Sequence, residues 1–168
     1  MEQDPVDLMV LGAIKSGAKK FDNIRKQTKI EPEKLNQILE RLENRQMIKV
    51  ETKKGFLGSK IEITITDKGI RELEERVHEL EGNWKQMQTL WKSGNKQKLQ
   101  QQMEENKGLL PTMLFFGIID IMMFSTMIGF LGAHMTDYVP AEQIPDGIEG
   151  DTGGGDMGDG GFDIDIGF

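Results

Sequence analysis

The sequence predicts a mainly α-helical protein with one small β-hairpin, followed by a long helix, an apolar helix and an acidic tail. Three observations carry this. Apolar residues recur at helical spacing through much of residues 5–46 and 68–91. Two short stretches with period-two alternation flank a glycine-containing loop at residues 53–58. A nearly uncharged run at 109–133 then gives way to a Gly/Asp-rich end.

In the head, Val6, Met9, Val10 and Ile14 share one helical face, and Gly17 closes that element. A short helix around residues 21–28 carries Phe21 and Ile24 on one side. Glu31-Pro32-Glu33-Lys34 has proline near the start and acids in the first turn, both features of a helix N-terminus. Leu35, Ile38, Leu39 and Leu42 mark the buried face of the helix that follows. Ile48-Lys-Val50 and Ile61-Glu-Ile63-Thr-Ile65 then alternate as hairpin strands, and Thr66-Asp67 caps a returning helix.

Three helices, a hairpin and a return helix are the element order of a winged helix-turn-helix, predicted here with its core at residues 5–67. The likeness becomes specific at Leu35-Asn-Gln-Ile-Leu-Glu-Arg-Leu-Glu-Asn-Arg-Gln-Met-Ile-Lys49 and at Ile63-Thr-Ile-Thr-Asp-Lys-Gly69. These stretches resemble the recognition helix, first wing strand and wing-to-helix junction of MarR/PadR-like transcriptional regulators, over roughly residues 5–90. The resemblance implies double-stranded DNA as partner, with the third helix in the major groove. By position, Lys34, Asn36, Gln37 and Arg41 would face base edges, where Asn and Gln suit adenine and Arg suits guanine. Lys53, Lys54 and Lys60 on the wing would meet phosphates. Two departures stand out. The third helix also bears Glu31, Glu33, Glu40 and Glu43, and Gln46 occupies the position after Arg45 where such proteins usually have glycine. An acidic third helix also suits a winged helix that binds protein, so an adaptor stands as the alternative.

Residues 68–108 are predicted as the return helix and a polar linker. Ile70, Leu73, Val77, Leu80, Trp84, Met87 and Trp91 follow each other at alternating spacings of three and four, an a/d seam. Its first turns are expected to pack on the chain's own head, while Leu80, Trp84, Met87 and Trp91 form a homodimer seam.

Residues 109–133 hold one charge, Asp120, among sixteen large apolar side chains distributed all around a helical wheel. A helix of 25 residues suffices to cross about 30 Å of hydrocarbon, and Asp120 costs only about 3 kcal/mol on insertion scales. Lys92, Lys96, Lys98 and Lys107 precede the run and no Lys or Arg follows it. The expectation is therefore a single transmembrane span with the winged helix cytoplasmic and the C-terminal side outside. The alternative keeps this segment as a buried helix or helical hairpin in a dimer core, turning at Gly117 or Gly129.

Charge is divided along the chain. Residues 1–70 carry 14 Lys/Arg against 11 Asp/Glu, a net of +3, and residues 71–168 carry 7 against 17, a net of −10. Only the head suits a polyanion. Residues 134–168, with Pro140, Pro145, many glycines and nine acids, are expected to be disordered. Their aspartates do not follow the alternating ligand positions of a calcium-binding loop. Phe162, Ile164, Ile166 and Phe168 alternate with Asp163, Asp165 and Gly167, a pattern suited to strand addition on a protein partner.

No chemistry is indicated. The chain has no cysteine, and its two histidines, His78 and His134, lack ligand spacing, so neither metal nor cofactor is expected. There is no nucleophile beside a base and no phosphate loop ending in Lys-Ser/Thr, so an enzyme is not expected either. Met-Glu-Gln-Asp-Pro has no basic stretch leading into an apolar one, so no cleavable signal peptide is expected.

Overall fold

Helices α1 (Pro5–Lys15), α2 (Phe21–Thr28) and α3 (Pro32–Asn44) lead into strands β1 (Ile48–Gly55) and β2 (Gly58–Ile65). Helices α4 (Asp67–Lys92), α5 (Lys96–Glu105), α6 (Leu110–Phe115) and α7 (Ile121–Leu131) follow, then single 3-10 turns at Met135–Asp137 and Ala141–Gln143. These elements come from a computed structural model that describes residues 4–145. The head thus has the helix–helix–helix–hairpin–helix order that its sequence predicts.

Local signals explain the boundaries. Asp4 caps α1 by accepting from the Val6 amide at 3.1 Å, and Pro5 supplies a preset first-turn φ. Lys29 and Gln46 take left-handed backbone (φ 56° and 62°) just after α2 and α3, so the departure at Gln46 sits where glycine is easiest to accommodate. The strands pair antiparallel from Ile48↔Ile65 to Gly55↔Gly58 around a two-residue turn, Phe56-Leu57.

The Thr66-Asp-Lys-Gly69 junction clamps this hairpin onto α3. Thr66 Oγ1 accepts from the Gly69 amide at 3.1 Å and donates to the Gln46 carbonyl at 2.7 Å. Lys68 Nζ donates to the Arg45 carbonyl at 2.9 Å. A Cβ at position 69 would collide with the Met47 carbonyl oxygen, so glycine is required by a close backbone approach.

Two apolar cores result. The first gathers Leu8, Leu11 and Ile14 of α1, Ile24 of α2, Leu35, Ile38 and Leu42 of α3, the hairpin's Ile48 and Ile63, and Leu73 of α4. The second joins Leu80, Trp84 and Met87 of α4 to Leu99 and Met103 of α5, Leu110 and Met113 of α6, and Phe124, Met127 and Ile128 of α7. Helix α6 belongs to both, because Phe115 and Phe116 reach back to the first core. Gly12 leaves room for the Phe116 ring, where a larger residue would collide.

The structure corrects three expectations. Residues 109–133 do not form one helix. Gly117 (φ 69°) turns the chain after α6, and Asp120 caps α7 by accepting from the Met122 and Met123 amides at 3.0 and 3.1 Å. The lone charge of the apolar run is a helix cap, and α6 and α7 have 6 and 11 residues against the roughly 20 that a span requires. Among the described residues no helix is long and apolar enough to cross a membrane. The expected transmembrane span, and the membrane-anchored localisation and orientation built on it, lose their basis, while the hairpin alternative turning at Gly117 matches the observed break.

The seam is used within the chain. Leu80, Trp84 and Met87 are buried by α5, α6 and α7, and Trp91 is half-buried against the same cluster. The heptad spacing reflects helices that lie later in this chain, so it gives no exposed stripe for a second copy.

The supposed polar linker and the start of the supposed disordered tail are also ordered. Asn95 caps α5 through the Lys98 amide at 3.2 Å, and Leu99 and Met103, one turn apart, close the core. Met135, Tyr138, Val139 and Ile144 seal its far side, with Tyr138 Oη donating to Glu104 at 3.3 Å. The remainder of the tail, including the strand-like segment 162–168, lies outside the described residues.

Candidate nucleic-acid interface

Helices α2 and α3 follow one another across a short turn. Thr28 Oγ1 bonds the Ile24 carbonyl at 2.7 Å, Lys29 turns the chain, and Pro32 starts α3. With Leu35, Ile38, Leu39 and Leu42 buried, the 3.6-residue period leaves Glu33, Lys34, Asn36, Gln37, Glu40 and Glu43 exposed. The side chains of Lys34, Asn36 and Gln37 make no hydrogen bond or ion pair within the described residues, and all three lie in the first half of the helix.

Arg41 is engaged elsewhere, which corrects its expected place on the base-reading face. Its guanidinium makes a two-point contact with Asp7 of α1, through Nε to Oδ2 at 2.9 Å and through Nη2 to Oδ1. Asp7 is 1% exposed and Arg41 is 46% exposed at the side chain, so the arginine caps a carboxylate enclosed in the head's core. The hydrogen bonding to Asp7 holds the Arg41 guanidinium above even its ordinary high range.

The hairpin lysines divide. Lys53 lies 2.9 Å from Glu62 on the neighbouring strand. That contact raises the Lys53 ammonium above its usual range and lowers the Glu62 carboxyl below its own. Lys54 and Lys60 are exposed and form no ion pair among the described residues. Between them, Phe56 and Leu57 stand fully in solvent at the tip. A cleft between the hairpin and α3 is lined by Phe21, Asn36, Leu39, Val50, Lys60 and Ile61, among others.

Sequence reasoning missed the cations around α2. Lys19, Lys20, Arg25, Lys26 and Lys29 are all exposed, and none joins an ion pair among the described residues. Their sequence signal is the pairs Lys19-Lys20 and Arg25-Lys26, on an element whose apolar positions are Phe21 and Ile24. Residues 19–34 carry six Lys/Arg against three Asp/Glu, a net of +3, whereas residues 35–46 carry two against two. Since Arg41 serves Asp7, the second half of α3 presents Glu40 and Glu43, which line the same cleft as Lys20 and Lys60.

Among the described residues no group of three or more His, Cys, Asp or Glu is placed to hold a metal ion. Comparisons with family models, curated proteins and solved structures gave no match. The winged helix resemblance therefore stands on the residues themselves and on the element order.

Proposed function

We propose that the head binds duplex DNA as a winged helix-turn-helix, docking through α2, the first half of α3 and the wing, and acts as a transcription regulator. The unpaired cation set Lys19, Lys20, Arg25, Lys26, Lys29 and Lys34 carries this reading. In helix-turn-helix docking, the first helix crosses the phosphate backbone while the N-terminal residues of the second read base edges. The charge on this head is distributed that way. Lys54 and Lys60 add phosphate contacts from the wing. Lys34, Asn36 and Gln37 are the readers, and Arg41 is a fold residue.

The test separates affinity from readout. Asn36→Ala and Gln37→Ala should relax base preference at one or two positions, by about 1–3 kcal/mol for a bidentate contact. Replacing Lys20, Arg25 and Lys26 by glutamine should weaken binding to every sequence alike. Equal losses on all sequences from Asn36→Ala and Gln37→Ala would remove them from the reading set.

A second reading, a protein-binding adaptor, is favoured by one observation: Glu40 and Glu43 face solvent on α3 while Arg41 between them is engaged by Asp7. Phosphates repel such a surface, and a basic protein partner would accept it. Absence of duplex binding at low salt would favour this reading.

A further inference from the structure

Among the described residues six large apolar side chains are exposed, and four of them, Val50, Phe56, Leu57 and Ile61, lie on the 18-residue hairpin. Side chains alternate across a strand, so Val50 and Thr52 share a face with Ile61 and Ile63. That face enters the core at Ile63 and runs out into solvent at Val50 and Ile61. Lys49, Glu51, Lys53, Lys60 and Glu62 occupy the opposite face.

The outer edge of β1 is open. The Ile63 amide donates away from β1, to the Lys19 carbonyl at 2.8 Å, so Ile63 and Val50 form a non-hydrogen-bonded pair. Pairs of this kind alternate, and Val50, Thr52 and Lys54 therefore direct their N–H and C=O groups away from β2. No backbone hydrogen bond among the described residues takes up these groups. A two-stranded hairpin with an apolar face and an open edge gains from a third strand.

We propose that residues 162–168 of this chain supply it, adding to the outer edge of β1. Extended, this segment places Phe162, Ile164, Ile166 and Phe168 on one face and Asp163 and Asp165 on the other. On the β1 edge both faces continue those of the hairpin. The apolar side chains extend the row of Val50 and Thr52, and the aspartates lie on the face of Lys49, Glu51 and Lys53. The net charges agree, since residues 48–65 carry four Lys against two Glu and residues 146–168 carry seven acids and no Lys or Arg. Reach suffices, because the intervening residues 146–161 extend to about 50 Å, more than the roughly 40 Å across a globular domain of this size. Attachment to the same chain also gives the segment an effective concentration no separate peptide readily matches. The inference is independent of the DNA-binding reading, though a strand seated there would bring acids beside the wing lysines.

The absence of cysteine makes disulfide trapping in the full chain clean. Thr52→Cys combined with Ile164→Cys, and Lys53→Cys combined with Asp165→Cys, place both thiols on one face. Thr52→Cys combined with Asp165→Cys places them on opposite faces. Under mild oxidation the same-face pairs should close an intramolecular bridge several-fold faster than the opposite-face pair. Amide exchange at Val50 and Thr52 should also be slower in the full chain than in one ending at residue 158. Equal trapping in all three pairs, bridges formed only between two chains, or unchanged amide exchange would each overturn the proposal.

Discussion

Arg41→Ala is the substitution whose consequence the structure defines most sharply. Asp7 is 1% exposed and its carboxylate is met by two guanidinium nitrogens, so truncation leaves a charge enclosed without its counterion. Breaking a fully buried pair in this way costs about 3–5 kcal/mol. Here the arginine side chain is 46% exposed, water can follow the truncation, and the expected loss falls to about 2 kcal/mol. With a urea slope of about 1–3 kcal/mol/M, that lowers the unfolding midpoint by roughly 1 M. The variant Asp7→Leu, Arg41→Leu removes both charges and should recover much of the loss, giving a coupling energy of about 1–2 kcal/mol in the double-mutant cycle. In DNA-binding assays Arg41→Ala should leave base preference unchanged, because the side chain is committed to α1. A destabilisation within the roughly 0.5 kcal/mol of an ordinary surface substitution would refute the ion-pair account. So would a change in base preference at fixed stability.

Other substitutions probe the rest of the fold. Trp84→Ala should cost about 3–5 kcal/mol in urea unfolding without changing the sedimenting mass, since the tryptophan is buried inside its own chain; a shift in mass with unchanged stability would restore the dimer seam. Gln46→Gly should stabilise by a few tenths to about 1 kcal/mol, because strain at φ 62° is relieved against a larger unfolded-state entropy. Gly69→Ala should unfold the hairpin junction, which thermal melting and the hairpin's amide exchange report. Burial, reinforced by Glu104, raises the Tyr138 hydroxyl above its ordinary value. Its contribution to stability is therefore full below the unfolded pKa and lost as pH rises through the folded one. As Tyr138 is the chain's single tyrosine, phenolate absorbance reads this directly, and titration at the free-tyrosine value would refute the packing.

The head was legible because its signals are local. Period 3.6 at Leu35, Ile38, Leu39 and Leu42, period 2 at Ile61, Ile63 and Ile65, and the Thr66 cap each act within one element. The second half is less legible, because there a pattern has two physical uses. An apolar run with one acid reads as a span when the acid is counted as a penalty, but Asp120 is a cap and Gly117 a turn, and both roles depend on backbone angles. The a/d spacing of Leu80, Trp84 and Met87 signals a helical partner without saying which. That partner is α5, α6 and α7, which come later in the chain. The pairing of Arg41 with Asp7, 34 residues earlier, has no sequence signal beyond an acid within an apolar helix. The α2 cations are visible as charge, but only the fold shows that they are exposed and join no ion pair among the described residues.

Duplex binding by the full chain and by a chain ending at Pro145, measured across a salt series, tests the central claim most directly. If about six cations from Lys20, Arg25, Lys26, Lys29, Lys54 and Lys60 meet phosphates, log K should fall against log salt with a slope of about −5. Replacing Lys20, Arg25 and Lys26 by glutamine should bring that slope to about half its value. The account predicts salt-dependent binding by at least one of the two chains. No binding by either at low salt, or a slope insensitive to the three substitutions, would contradict it.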